Sequence, residues 1–363
     1  MISTTIFPGR YVQGYDTMKR LGEEMARFGK KGLLICDPFV LEKIIPNYIS
    51  GIQDAVQVET VQFGGECSEE EIERLAKLVK EAGCDLVAGI GGGKSLDTAK
   101  AVAYKEECPV VVVPTIASTD APCSALSVIY TPEGGFDHYL ILPQNPSVVL
   151  LDTKIIAQAP VRFLVAGMGD ALATWFESES ARAKYAANMT GDIGSMAAYT
   201  LAELCYSTLL EYGVAAKEAC EKGAVVPSLE HVVEANVLLS GIGFESGGLA
   251  AAHAIHNGLT ALEQTHNYYH GEKVAYGTLT SLFLTDKPSS IIDEVFFFCE
   301  EIGLPTSFAE LGMEGVTDSD LMRVAETACA ENETIHNEPI PITKESVVAA
   351  MKAADAYGNS RRK

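Results

Sequence analysis

Basic residues are scarce: 27 lysines and arginines stand against 49 aspartates and glutamates, a formal net charge of −22. A surface of that sign repels phosphate backbones and anionic bilayers, so neither nucleic acid nor a membrane is an expected partner. Long apolar runs are missing too. No stretch reaches about 18 apolar residues, and the opening "MISTTIFPGRYVQGYD" has no basic flank leading into an apolar core. A soluble, cytoplasmic chain is expected. The nine cysteines contain no C-x-x-C pair and are scattered through mostly apolar contexts. That excludes a zinc ribbon and fits reduced, buried thiols rather than a disulfide framework.

What is present reads as two textures. At 363 residues the chain exceeds one typical core, which suggests about two domains. Short β-branched runs, "KGLLICDP" (31–38), "VQVETVQF" (56–63), "DLVAGIGGG" (85–93), "PVVVVPT" (109–115) and "SVVLLDT" (147–153), alternate with amphipathic stretches. One of these, "SEEEIERLAKLVKEAG", opens with a capping box of Ser68 and Glu71 and closes at Gly83. The alternation predicts a β-α-β region with a parallel sheet, interrupted by a projecting hairpin in "SVIYTPEGGFDHYLILP". After about Val161 only helical periodicity remains. The expected organisation is an α/β domain over residues 1–160 and an all-helical domain over 161–363, joined at "QAPVRFL".

"GIGGGKSLDTAKAVA" (89–103) follows an apolar run and opens an amphipathic helix. A loop without side chains at a helix N-terminus lets a phosphate approach the free N–H groups. Two familiar fingerprints fail here: a P-loop needs glycine at Ala88, and G-x-G-x-x-G needs it at Lys94. The choice lies between a cofactor pyrophosphate and a tight turn without a ligand. Asp37, at the end of the first apolar run, is a candidate for holding a ribose diol, which favours NAD over NADP; the alternative is a plain turn residue.

Four of the seven histidines, His253, His256, His266 and His270, fall within "GGLAAAHAIHNGLTALEQTHNYYHGEKVAYG". Spacing pairs His253 with His256, which share a helix face at i and i+3 and could grip one metal. Ordinary hydrogen-bonded core histidines are the alternative. Composition leaves the third ligand open among Asp170, Glu245, Glu263 and Glu272.

Several long motifs together, "GIGGGKSLDTAKA", "PTIASTDAPCSALSVIYT", "GMGDALATWFE", "GFESGGLAAAHAIHNGLTAL", "YYHGEKVAYGTL" and "ACAENETIHN", carry a resemblance through nearly the whole chain. It resembles the glycerol dehydrogenases, a zinc-using polyol dehydrogenase branch of the iron-containing alcohol dehydrogenase superfamily. The resemblance implies the dehydroquinate synthase-like fold of that superfamily, with a cleft between a dinucleotide-binding domain and a helical one. It implies zinc (Zn2+) held by Asp170, His253 and His270, so that His270 takes the place spacing gave to His256. The superfamily often adds a histidine four residues after the aspartate; here that residue is Thr174, which leaves an open position on a three-ligand zinc.

For NAD the same carry-over implies Asp37, Gly93, Lys94, Ser95 and Asp97, then Thr115 and Ser118, with Ser124, Leu126 and Tyr130 on the hairpin side. Asp120 falls where the family binds a substrate hydroxyl, although alone it reads as an N-cap or turn residue. The implied reaction is oxidation of glycerol to dihydroxyacetone, or of related vicinal diols, in a cytoplasmic homo-oligomer, an octamer by family resemblance. The proton acceptor stays open among His256, Asp120 and a water chain. Glycerol-1-phosphate dehydrogenase and dehydroquinate synthase are the alternatives within the superfamily. Their phosphorylated substrates call for a basic cluster, yet residues 247–277 hold only Lys273. A silent nucleotide- and metal-binding regulator is the non-enzyme alternative, and intact residues at all three ligand positions argue against it.

Overall fold

The computed structural model describes residues 1–362. Each of the five β-branched runs forms a strand: β2 (Lys31–Cys36), β3 (Gln57–Gln62), β4 (Leu86–Gly91), β5 (Val110–Pro114) and β8 (Val148–Asp152). A short strand that the runs did not mark, β1 (Tyr11–Gly14), joins them by pairing Tyr11 with Val149. The six form one sheet in the order β1-β8-β5-β4-β2-β3, with every pair parallel. β4 and β8 are buried along their whole length, as strands covered on both faces must be. Because β3 lies on one side of β2 and β4 on the other, the winding reverses between β2 and β4. Ligands of open α/β sheets collect at the carboxyl ends of such a switch point, and here those ends carry Asp37 and the Gly91–Gly92 turn.

The helix Glu69–Ala82 begins as expected, with Ser68 Oγ accepting from Glu71 N, and ends at Gly83 with φ +64°. The capping box is only half made. The Glu71 carboxylate accepts instead from Gly64 N–H at 2.8 Å and from Arg74 Nε at 2.7 Å. The projecting hairpin is present as the antiparallel pair β6 (Leu126–Tyr130) and β7 (Phe136–Ile141), outside the main sheet.

After Asp152 no strand follows among the described residues, and helices take over. A six-residue helix, Thr153–Gln158, leads to a break at Ala159–Pro160 and then to the 24-residue helix Val161–Lys184. That helix packs its apolar residues, Leu164, Met168 and Leu172, into one buried cluster with Val112 and Val149 of the sheet. The helical layer therefore shares a core with the strands. One glycine sets the approach of two helices that matter below. A Cβ on Gly271 would lie 1.7 Å from the Ala166 carbonyl oxygen. Only its absence lets the helix His270–Leu284 meet Val161–Lys184 at backbone contact.

Candidate functional site

That helix crossing brings His270, the first residue of its helix, against Asp170, which is completely buried on Val161–Lys184. His270 Nε2 lies 3.1 Å from Asp170 Oδ1, and His253 Nε2, from the helix Ala251–Leu259, lies 3.3 Å from the same oxygen. The three donor atoms all fall within 4.8 Å of one another. Zinc bonds of about 2.0–2.1 Å in a tetrahedron put neighbouring donors about 3.3 Å apart. One carboxylate and two imidazoles at these separations fit a divalent ion.

Of the four carboxylates that composition left open, only Asp170 is in this cluster. Glu272 accepts from Arg162 Nε at 2.6 Å and from Tyr269 N–H at 2.7 Å, capping the His270 helix. Glu263 is exposed, as is His266, which bonds the Thr260 carbonyl. His256, the partner that spacing chose, stands behind His270, with its Nε2 3.0 Å from His270 Nδ1.

A residue outside the sequence reading, Glu177, holds the other histidine. Its Oε2 is 2.6 Å from His253 Nδ1, while its Oε1 accepts from the N–H groups of Ala250 and His253 at 2.9 Å. One buried carboxylate thus serves the open N-terminus of the His253 helix and turns Nε2 toward Asp170. Asp170, Thr174 and Glu177 follow at i, i+4 and i+7, one face of the helix. Burial opposes the charge of Asp170, but the His270 and His253 imidazoles outweigh it and hold the carboxyl below its ordinary value. His253 is likewise opposed by burial, yet Glu177 and Asp170 raise it well above the usual imidazole range. A metal and a proton compete for the same nitrogen.

Asp120 reaches the cluster through its backbone: its N–H donates to Asp170 Oδ2 at 3.2 Å. Its side chain accepts from Ser240 Oγ at 2.7 Å, and Ser240 Oγ lies 2.8 Å from Thr174 Oγ1. Burial and the neighbouring Asp170 charge push the Asp120 carboxyl up, against the Ser240 hydroxyl. Ser240 is the second residue that sequence reasoning missed. Thr174, in the place of a fourth metal ligand, is spent on this hydroxyl pair.

On the sheet side, Asp37 Oδ2 accepts from Gly92 N–H at 2.7 Å, and a Cβ on Gly91, where φ is +154°, would lie 2.0 Å from that oxygen. The helix Gly93–Lys105 starts at Gly92 with no side chain capping it. Gly93 is exposed at its first turn, and Ser95 Oγ bonds the Gly92 carbonyl at 2.9 Å. Lys94 pairs with Glu66 at 2.6 Å, and its Nζ is 4.8 Å from the Tyr130 ring centroid. Thr115 N–H donates to the Gly91 carbonyl at 3.0 Å, which sets Thr115 beside the glycine turn at the strand ends, and Ser118 in the following loop is half-buried.

Asp97 and Ser124 are placed differently from an exposed cofactor contact. The Asp97 carboxylate is buried, accepts from Val128 N–H at 3.1 Å and pairs with Lys100 at 2.8 Å. Ser124 is fully buried, with its hydroxyl on the Ala121 carbonyl. The buried Lys100 ammonium also donates to the carbonyls of Ala121 and Leu126. These groups anchor the base of the hairpin that presents Leu126 and Tyr130.

Glu245 completes that anchor from the helical side, accepting from Ala125 N–H at 2.6 Å and Asn145 Nδ2 at 2.5 Å. Burial pushes its carboxyl up to about 7 from an ordinary 4.5. With the folded value raised, this group's contribution to stability is complete below about pH 4.5 and is lost as pH rises through about 7. Glu245→Gln removes that dependence. Thermal denaturation of variant and parent from pH 5 to 8 is expected to show the variant gaining relative Tm across the window, and a constant difference would refute the assignment.

The sequence model of the family described as iron-containing alcohol dehydrogenase matches residues 8–153. The chain is 66% identical over 362 residues to a glycerol dehydrogenase from Thermotoga maritima, covering 100% of this chain and 99% of that one. It is 53% identical to a glycerol dehydrogenase from Escherichia coli, with 97% and 96% covered. The solved structure of glycerol dehydrogenase from Schizosaccharomyces pombe superposes with a TM-score of 0.95 at 38% identity, over 99% of this chain and 92% of that one.

Proposed function

The chain belongs to the glycerol dehydrogenases of the iron-containing alcohol dehydrogenase family, and from that membership we propose that it oxidises glycerol to dihydroxyacetone, and related vicinal diols, with NAD as hydride acceptor. One zinc ion would be held by Asp170, His253 and His270. The observation that carries this reading is the meeting of three donor atoms within 4.8 Å with a buried aspartate, Asp120, one hydrogen bond away.

A divalent ion bound there supplies Lewis acidity, making a hydroxyl easier to deprotonate and a carbonyl easier to reduce. NAD bound at the glycine turn would supply the hydride acceptor. The rest falls to the chain. Asp120, with Oδ2 fixed by Ser240, offers its other oxygen to a substrate hydroxyl and sets which carbon faces the cofactor. His256 has one ring nitrogen on His270 and the other on Asn257. It therefore supports the site rather than accepting the substrate proton, which leaves Asp120 or solvent for that step. The Gly93–Ser95 helix start offers backbone N–H groups to the pyrophosphate, and Asp37, which already holds Gly92 N–H, lies beside it to accept from the ribose hydroxyls.

A phosphorylated substrate is disfavoured, because the one lysine or arginine of 247–277, Lys273, is buried. A substrate panel read by NADH absorbance tests the function. Glycerol and propane-1,2-diol are expected to be oxidised and glycerol 1-phosphate is not; the reverse pattern would overturn the reading. For the cofactor, Asp37→Gly is expected to raise the Michaelis constant for NAD roughly tenfold, the worth of one charge-assisted hydrogen bond, and to improve use of NADP. Equal use of both cofactors by the parent would remove Asp37 from this role.

A further inference from the structure

The motif "ACAENETIHN" (328–337) has no part in the site described so far, yet it wraps the N-terminal end of the His253 helix. Thr334 Oγ1 donates to the Ala250 carbonyl at 2.7 Å, Asn337 Nδ2 donates to the Leu249 carbonyl at 2.8 Å, and Ala251 N–H donates to Glu338 Oε1 at 3.0 Å. These contacts fix the backbone just after Glu333, and the Glu333 N–H itself donates to the Ala330 carbonyl at 3.0 Å. The Glu333 carboxylate in turn accepts from Asn257 Nδ2 at 3.2 and 3.1 Å. Asn257 Oδ1 lies 3.0 Å from His256 Nδ1, and His256 Nε2 lies 3.0 Å from His270 Nδ1. His270 Nε2 faces Asp170.

An ionised carboxylate only accepts hydrogen bonds, and this settles the direction of every link in turn. Asn257 must give its amide N–H to Glu333 and keep its oxygen for His256. His256 then carries its proton on Nδ1 and accepts at Nε2. His270 must therefore carry a proton on Nδ1, so that in its neutral form the free lone pair is on Nε2, toward Asp170 and the metal position. A metal requires that tautomer, because a protonated nitrogen cannot be a ligand.

We infer that Glu333 is a positioning residue for the metal-facing imidazole of His270, acting through Asn257 and His256. The two metal histidines are then held by different means. His253 has the Glu177 carboxylate directly on Nδ1, whereas His270 is served by a carboxylate three links away. The inference rests on the metal site proposed above.

The test uses the full-length protein stripped of metal, titrated with Co2+ by absorbance and then with Zn2+ in competition. Loss of an orienting partner typically weakens metal affinity about 10- to 100-fold. Three links dilute that effect, so Glu333→Ala is expected to weaken it about tenfold. In a His256→Ala background the same change is expected to alter affinity less than about twofold, since the path to His270 is already cut. An unchanged affinity in the first background overturns the inference, and so does an equal loss in both, which would mark a general structural effect. If Glu333→Ala does not fold, Asn257→Ala breaks the same chain and is judged by the same two comparisons. A parent that binds no Co2+ at all overturns the metal site and this inference together. A parent that binds it, with Glu333→Ala unchanged, overturns this inference alone.

Discussion

His253→Ala and His270→Ala are each expected to yield protein with no bound metal and turnover reduced by at least about a thousandfold. Lewis-acid assistance is worth several kcal/mol of transition-state stabilisation, and each 1.36 kcal/mol is about tenfold in rate. The loss should be all or none because three protein donors are the minimum for a catalytic zinc site, and removing one leaves a carboxylate and a single imidazole. Asp170 then remains buried beside Asp120 with less positive charge to offset either, so a lowered Tm should accompany the loss. His256→Ala is the internal control. Its Nε2 faces His270 rather than the ion position, so it should retain metal with affinity weakened about 10- to 100-fold. Elemental analysis of the three purified variants reads the outcome. Metal-free His256→Ala beside zinc-loaded His270→Ala would exchange their roles.

Asp120→Asn is the second large effect. A hydrogen bond to a charged group is worth about 1.5–3 kcal/mol, so kcat/KM for glycerol should fall about 10- to 100-fold, with KM for glycerol raised far more than KM for NAD. Asparagine still accepts from Ser240 through its amide oxygen, so the loop keeps its place and the change falls on the side facing the substrate. With a simple secondary alcohol such as propan-2-ol, which lacks the second hydroxyl, the variant and the parent should differ much less. An effect confined to NAD would move Asp120 to the cofactor side.

The sheet was legible because its strands are Val-, Ile- and Leu-rich runs between turn signals. β1 escaped for the opposite reason: "YVQG" is four residues long, and its register comes from β8. The glycine turn was readable from three successive glycines, but the orientation of Asp97 was not. The helix turns that carboxylate beneath β6, where Val128 N–H and Lys100 claim it.

At the metal cluster, spacing alone pointed to His256, since i and i+3 share a helix face. What decides for His270 is the crossing of two helices at Gly271 and Ala166, which sets His270 against Asp170, 100 residues away in sequence, and no local period encodes it. Glu177 did leave a local trace, two helical turns after Asp170 at the end of "GMGDALATWFE". Ser240 left none, because its link to Thr174 spans 66 positions and depends on tertiary packing alone.

The most direct test is NADH formation from glycerol by the parent protein after a chelator has removed its metal, followed by stepwise return of zinc. Activity is expected to vanish with the metal and to return in proportion to zinc, reaching a plateau at one ion per chain. Full turnover by the metal-free protein, or a plateau with no ion bound at Asp170, His253 and His270, would contradict the site as described.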